Sequence, residues 1–165
     1  APDWAYVAQT WVSREAIERS YTPKLEGEIP TIVMEFLSET EGTEYSIKPT
    51  YPPGKWFFYE QVLQVPHYVI FDIATGKLEV YQLNSSQVYD LQQPDDNGRY
   101  WIAGLNLYLG VWEGTHRNRS GYWLRWWNEQ EALLLWGSEL AQREHDRAER
   151  LKTQLRSLGI EPEDE

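Results

Sequence analysis

Cysteine is absent from this chain of 165 residues, which excludes disulfide bonds and zinc sites built on thiolates. Its absence is consistent with a reducing compartment, so the sequence predicts a cytoplasmic protein. No apolar run approaches the roughly 18 residues that a membrane-spanning helix needs. The start of the chain also lacks the basic and then apolar residues of a secretory signal. These absences predict an ordinary globular domain that folds without a covalent or thiolate-metal crosslink.

Positive charge is scarce, because 15 lysines and arginines stand against 26 acidic residues and leave a net charge of −11. An acidic chain is repelled over long range by the phosphate backbone of nucleic acids. This charge argues against a large, permanently basic nucleic-acid surface. It still allows a small cleft in which metal ions bring a phosphate to the protein.

The order of periodic segments predicts an α+β fold with a mixed central β-sheet. Short apolar runs at residues 29–37 and 66–73 predict two buried strands. Alternating residues at 4–8 and 78–83 predict two further strands, the second of which forms a hairpin with the strand before it. A broad apolar face over residues 55–63 predicts a short helix between the two buried strands.

The second half of the chain predicts hairpins followed by a helix. Residues 88–91 and 99–102 are expected to form one hairpin, and residues 105–112 and 121–127 a second one, joined by a basic loop at 114–120. Residues 129–158 lack proline and place leucines at steps of three and four, which predicts a long exposed helix that is also compatible with a coiled-coil arm. The predicted organisation is therefore a domain at residues 1–128 and a helical arm with an acidic tail at 129–165.

Glu35 is the most informative charged residue, because it interrupts the apolar strand sequence IVMEFL. A carboxylate buried without a partner costs several kcal/mol, so it normally meets a metal, a basic side chain or a proton. The alternative is that Glu35 faces solvent from an edge strand or pairs with a distant arginine.

Asp3 and Lys55 are the other two candidate site residues. Asp3 follows a proline at the start of the first predicted strand, where the spacing alone favours a turn or cap role. Lys55 opens the predicted helix, where the helix dipole disfavours a cation unless a carboxylate or phosphate compensates; a solvated side chain is the alternative. Together with Glu35, these residues predict a site that binds Mg²⁺ or Mn²⁺ beside a phosphodiester, with the lysine orienting water or stabilising developing charge.

Four collinear segments resemble the Uma-two family, which is classed with bacterial restriction endonucleases and is similar in fold to PD-(D/E)XK nucleases. They are residues 1–4 (APDW), 29–38 (IPTIVMEFLS), 54–60 (GKWFFYE) and 66–72 (PHYVIFD). The resemblance spans roughly residues 1–83 and makes residues 1–128 a nuclease-like domain. It implies a restriction-endonuclease-like mixed central β-sheet flanked by helices, to which the β-hairpins and the long C-terminal helix are added.

The resemblance also implies a function and a set of site residues. Asp3 and Glu35 would be the metal ligands, and Asp3, Glu35 and Lys55 the catalytic set. The implied activity is Mg²⁺- or Mn²⁺-dependent hydrolysis of DNA phosphodiester bonds. From the residues themselves, we expect the long helix or the aromatic face to form a homodimer. The nuclease motif has its lysine two positions after the glutamate; that position is Leu37 here, so the helix would supply the lysine instead.

Three features depart from the family pattern. Thr31 stands where members usually have an aspartate after the second proline. Residues 45–54, which contain three prolines, replace the acidic-basic run that the family carries between the second strand and the helix, and Lys48 in this segment is a weaker alternative to Lys55. A helix and a strand that precede the first PD in the family are missing here, so an acid that this helix often supplies would be missing too.

Two rival functions follow from the same sequence. Thr31 and the charge of −11 favour a catalytically inactive nuclease-fold protein that binds or scaffolds. The tryptophans near residues 123–136 are compatible with a carbohydrate-active protein, although core packing explains them more simply. The three histidines, His67, His116 and His145, have no zinc-binding spacing, and the arginines of the loop at 114–120 fit a solvated loop as well as a phosphate site.

Overall fold

The computed structural model describes residues 1–17, 20–37 and 43–158, with only the backbone at Arg14. It divides into two compact units, Ala1–Ala132 and Leu133–Glu165. The strands are β1 (Trp4–Tyr6), β2 (Ile32–Leu37), β3 (His67–Asp72), β4 (Lys77–Leu83), β5 (Tyr89–Leu91), β6 (Arg99–Ile102), β7 (Leu107–His116) and β8 (Arg119–Trp127). The helices are a 3₁₀ turn (Arg14–Ala16), α1 (Lys55–Phe57), which continues as a π-helix (Phe58–Leu63), and α2 (Gly137–Ser157).

The first five strands form one mixed sheet in the order β1-β2-β3-β4-β5. β2 and β3 run parallel, whereas the other neighbouring pairs are antiparallel. The two parallel strands lie inside the sheet and are nearly continuous apolar runs, as expected of strands that are covered on both faces. The α+β class and the mixed central sheet are confirmed.

Each face of this sheet has its own apolar core. On one face the helical segment 55–63 contributes Tyr59 to a core that also contains Val33, Val65, Tyr68, Ile70 and Tyr89. On the opposite face the second sheet, β6-β7-β8, contributes Ile102 and Leu109 to a core with Ile32, Met34, Val69 and Val80. Since side chains alternate along a strand, Glu35 shares the helical face with Val33, which places its carboxylate under the helix.

The predicted hairpin of residues 88–102 is wrong. β5 pairs with β4, whereas β6 pairs with β7, so the two strands belong to different sheets. The side chain of Asp95 accepts hydrogen bonds from the main-chain N–H of Asn97 (2.9 Å) and Arg99 (2.8 Å). This local turn redirects the chain from the first sheet to the second, where burial of Ile102 fixes the next strand.

The basic loop predicted at 114–120 is also wrong in length. β7 and β8 stay paired up to His116 and Arg119, so only Arg117 and Asn118 form the turn. Their φ angles are 48° and 63°, and positive φ at both central residues is what a type I′ hairpin turn requires. Trp127 is buried at the base of this hairpin and Trp126 packs on the core, which agrees with a packing role for these tryptophans.

The long helix starts later than the sequence predicts, at Gly137 and not at residue 129. The Asn128 side chain accepts hydrogen bonds from the N–H groups of Gln130 and Ala132, which holds the preceding residues in a turn. The helix then begins where Glu139 reaches back to the N–H of Trp136 at 2.7 Å, half of a capping box. Within the described ranges, no helix combines the length and the apolar character that membrane crossing would need.

Candidate active site

Glu35 is the centre of the candidate site. Its side chain is fully buried in β2, between β1 and β3, so the edge-strand alternative is excluded. The hydroxyl of Tyr59 donates to Oε1 at 2.9 Å, and the ammonium of Lys55 donates to Oε2 at 3.1 Å. The buried carboxylate therefore has a lysine partner, as the cost of burying a charge requires.

Asp3 lies beside Glu35 on the neighbouring strand. Trp4 pairs with Met34 in antiparallel register, so the residue before Trp4 comes alongside Glu35. The exposed Asp3 carboxylate also accepts the main-chain N–H of Phe36 through Oδ2 at 2.8 Å. The structure thus brings together the two carboxylates that the sequence predicts as a pair.

Lys55 stands at the start of α1 with two carboxylate partners. Its Nζ lies 3.1 Å from Glu35 Oε2 and 3.2 Å from Glu44 Oε1, and 31% of the side chain is exposed. These carboxylates compensate for a cation at a helix N-terminus, which the dipole disfavours. The solvated alternative for Lys55 is therefore wrong.

The pKa shifts of Glu35 and Lys55 follow from their burial and from the charged and hydrogen-bonding groups around them. Burial raises the pKa of the Glu35 carboxyl, and the nearby Asp3 charge adds to that rise, while hydrogen bonds from Lys55 and Tyr59 oppose it. Burial alone would lower the pKa of Lys55, but Glu35 and then Glu44 offset it, so the net pKa shift is upward. Lys55 therefore carries its positive charge at neutral pH.

Sequence reasoning missed two members of this cluster, Tyr59 and Glu44. Tyr59 follows Lys55 by four residues, so helical spacing alone could have placed both side chains on one face. Glu44 is 4% exposed and meets Lys55 from a segment that follows β2. It is one of three glutamates in residues 39–44, and nothing in that composition distinguishes it.

The remaining candidates lie elsewhere. Lys48 is exposed and contributes its carbonyl oxygen, which accepts the N–H of Gly54 at 2.9 Å. His67 is buried and its Nδ1 contacts the carbonyl of Thr31 at 3.2 Å. Thr31 precedes Glu35 by four residues, which is about 13 Å along an extended strand, too far to share a ligand with it.

A cleft of about 740 Å³ opens in front of the site. Asp3, Lys55 and Tyr59 line it together with apolar walls that include Trp4 and Phe58. This volume is in the range of small-molecule and cofactor sites. The polar groups of the site are therefore accessible to a ligand even though Glu35 itself is buried behind them.

A protein-family model matches the part of the chain that carries these residues. The model of the Uma2 family, described as "Putative restriction endonuclease", matches residues 1–115. The matched residues include β1 to β6, the helical segment and most of β7. The chain belongs to the Uma2 family, and its fold is consistent with a restriction-endonuclease-like architecture. No curated protein and no solved structure matches the chain.

The donor set fits a divalent cation that takes oxygen ligands. Lys55 contacts Glu35 and Glu44, and Asp3 lies alongside Glu35. These three carboxylates and one ammonium leave two formal negative charges, which one divalent cation would balance. Within the described ranges, no three acidic, histidine or cysteine side chains are close enough to hold a metal by themselves. Two carboxylates are nevertheless what Mg²⁺ commonly takes from a protein, because water and substrate phosphates supply the rest.

Proposed function

We propose that this protein is a metal-dependent endonuclease that hydrolyses phosphodiester bonds of DNA. The observation that carries the proposal is the contact of a buried glutamate with a lysine, next to an aspartate on the adjacent strand and at the mouth of a cleft. The assignment of DNA as the substrate rests on membership of the Uma2 family.

Asp3 and Glu35 would hold Mg²⁺ or Mn²⁺ between them. Among the described residues, each Glu35 oxygen accepts one hydrogen bond and keeps a second lone pair, so the carboxylate remains able to bind a metal. The cation, when bound, polarises a phosphoryl oxygen and lowers the pKa of a coordinated water.

Lys55 and Tyr59 would then position the reacting groups and the carboxylate that holds the cation. Lys55 donates hydrogen bonds either to the attacking water or to the phosphoryl oxygens as negative charge develops on them. Tyr59 fixes the rotation of the Glu35 carboxylate through its hydroxyl, so the lone pairs that face the metal are set before it binds. The acidic chain disfavours phosphate elsewhere, and this confines productive binding to the cleft that the cation neutralises.

A plasmid-nicking assay tests the proposal. Wild-type protein is incubated with supercoiled DNA in Mg²⁺, in Mn²⁺ and in EDTA, beside Glu35→Gln and Lys55→Met. We expect cleavage that needs a divalent cation and falls at least about 100-fold in both variants.

Glu60→Gln is the matched control. Glu60 is a buried glutamate like Glu35, but it lies in the helical segment. It accepts hydrogen bonds from the Trp56 side chain and the Tyr89 N–H, and among the described residues it makes no hydrogen bond or ion pair with Lys55. It should retain cleavage. Equal nicking by wild type and Glu35→Gln, or nicking in EDTA, contradicts the proposal.

A catalytically inactive nuclease-fold binding protein is the second candidate. Thr31 favours it, since it replaces the aspartate that the family usually carries at this position. Well-folded wild-type protein that binds DNA but cleaves neither supercoiled, linear nor single-stranded substrates with either metal would support this alternative.

A further inference from the structure

The ammonium of Lys55 is shared by two buried carboxylates, only one of which has a part in the proposed reaction. Glu35 Oε2 lies 3.1 Å from Nζ, and Glu44 Oε1 lies 3.2 Å from it. A cation bound to the Glu35 carboxylate would offset part of its negative charge, so the attraction between Glu35 and Lys55 would weaken even though the carboxylate keeps its rotation. Glu44 is then the contact that holds the lysine.

Glu44 is held firmly enough for that task. Its carbonyl oxygen accepts the hydroxyl of Tyr68, a fully buried core residue, at 2.9 Å. Its segment is also bonded to the start of the helix, because Phe57 N–H donates to the Ser46 carbonyl at 3.3 Å. The sheet and the helix that carries Lys55 therefore both fix the position of Glu44.

Stability does not explain why a carboxylate stands here. Among the described residues, Glu44 Oε2 is buried and has no hydrogen-bond partner. A buried acceptor left unsatisfied normally costs stability, more so when it is charged. A feature that costs stability beside a candidate active site is what a functional constraint produces.

We propose that Glu44 is the positioning residue for Lys55, keeping the ammonium at its working position while Glu35 binds the metal. This inference rests on the proposed function for its catalytic consequence, but its structural content concerns Lys55 alone. Glu44 contacts Lys55 through Oε1, whereas Asp3 lies alongside Glu35 on the adjacent strand, so the metal-binding pair proposed above is Asp3 and Glu35.

The conformational order of the Lys55 side chain tests the proposal without any measurement of DNA cleavage. The order parameter of its ¹³Cε–¹H group is measured by NMR in wild type, Glu44→Ala and Glu44→Gln, with Mg²⁺ present. We expect a clear drop in Glu44→Ala and recovery toward wild type in Glu44→Gln, whose side-chain oxygen can still accept from Nζ. Glu60→Gln is the matched control and should leave Lys55 unchanged.

Kinetics give the second readout. For Glu44→Ala we expect kcat to fall about 10- to 100-fold, the range for residues that orient a ligating or reacting group, with KM for DNA changed less than about threefold. Glu44→Gln should recover part of that loss. A purely structural role would instead lower the folded fraction and leave Lys55 order intact in the folded molecules.

The outcomes separate the two proposals. Unchanged Lys55 order in Glu44→Ala overturns the positioning role, whatever the activity. Wild-type protein that never cleaves DNA overturns the proposed function, while the NMR result still decides the role of Glu44.

Discussion

At the scale of single residues, Tyr59 and Lys55 hold the two oxygens of one buried carboxylate. The Tyr59 hydroxyl reaches Glu35 Oε1 at 2.9 Å, and burial raises the pKa of this phenol well above its usual range, so it stays a donor. Glu35 thus keeps a neutral donor on one oxygen and a cation on the other. This arrangement makes a charge tolerable in a strand that is otherwise apolar.

Tyr59→Phe should lower the free energy of unfolding by about 1–3 kcal/mol, because it leaves a buried carboxylate oxygen without its donor. Urea denaturation at neutral pH measures the change. Tyr51→Phe is the control, since Tyr51 is 93% exposed and should change stability by less than about 0.5 kcal/mol. A Tyr59→Phe protein as stable as the wild type would show that the hydrogen bond from Tyr59 to Glu35 contributes nothing to stability.

His67 gives a prediction about pH. Burial lowers the pKa of its imidazole, although the carbonyl of Thr31 opposes the shift. The folded state therefore takes up the proton less readily than the unfolded chain, whose histidine titrates near about pH 6.5. The contribution of neutral His67 is present above that pH and is lost as pH falls through the lower pKa of the folded state.

Between about pH 7.5 and pH 5, the free energy of unfolding should fall by roughly 1 kcal/mol less in His67→Gln than in the wild type. Unfolding midpoints in urea at both pH values measure it, with His145→Gln, an exposed position on α2, as the control. Identical pH dependence in wild type and His67→Gln would contradict the assigned burial of neutral histidine.

At the scale of elements, the start of the helix and the segment before it pack too closely for any side chain at Gly54. A Cβ at this position would lie 2.0 Å from the carbonyl oxygen of Ser46. Lys55 follows Gly54 directly in the chain, and Ser46 lies two residues after Glu44. The close approach of Gly54 to Ser46 therefore brings the lysine near its second carboxylate.

Gly54→Ala should destabilise the protein by about 1–3 kcal/mol, the usual cost of overpacking, and should lower DNA cleavage more than the folded fraction explains. Thermal unfolding and nicking are measured together. Gly137→Ala is the matched control, because nothing lies within 4 Å of its Cβ position and alanine favours helix. Wild-type stability in Gly54→Ala would mean that the segment yields without cost.

The sequence predicted the elements that depend on local residue patterns, but not the contacts between residues that are distant in the chain. The strand at Ile32–Leu37 and the helix at Lys55 were predictable from local apolar patterns, and with them Glu35 and Lys55. The pairing of β5 and β6 with different sheets was not, because the turn at Asp95 looks the same in a hairpin and in a crossover. Glu44 escaped prediction because only tertiary packing brings it to Lys55.

At the scale of the whole molecule, the net charge of −11 and the exposed leucines of α2 bear on its associations. Leu140 and Leu151 are about half exposed in the helical unit, and none of the described residues of α2 is buried. Leu151, Leu155 and Leu158 follow one another at steps of four and three residues, and a leucine stripe with this spacing is typical of a self-association surface. We propose that the protein is a homodimer formed through α2.

Light scattering during gel filtration should give twice the chain mass of 19.5 kDa for the wild type and the single-chain mass for Leu151→Asp. A charge in an apolar seam is desolvated on association, so it should dissociate the dimer. Leu25→Asp, at a position 76% exposed in the other unit, is the control and should remain dimeric. A wild-type protein that elutes at the single-chain mass at every concentration contradicts the dimer.

The proposed reaction depends on a divalent cation held by Asp3 and Glu35 beside Lys55. Anomalous diffraction from crystals soaked in Mn²⁺, compared between wild type and Glu35→Gln, locates such a cation directly. We expect one strong peak in the wild type, about 2.0–2.6 Å from oxygens of both carboxylates, and its loss in the variant. A manganese peak elsewhere, or none at this site at millimolar Mn²⁺, would contradict the proposed metal site.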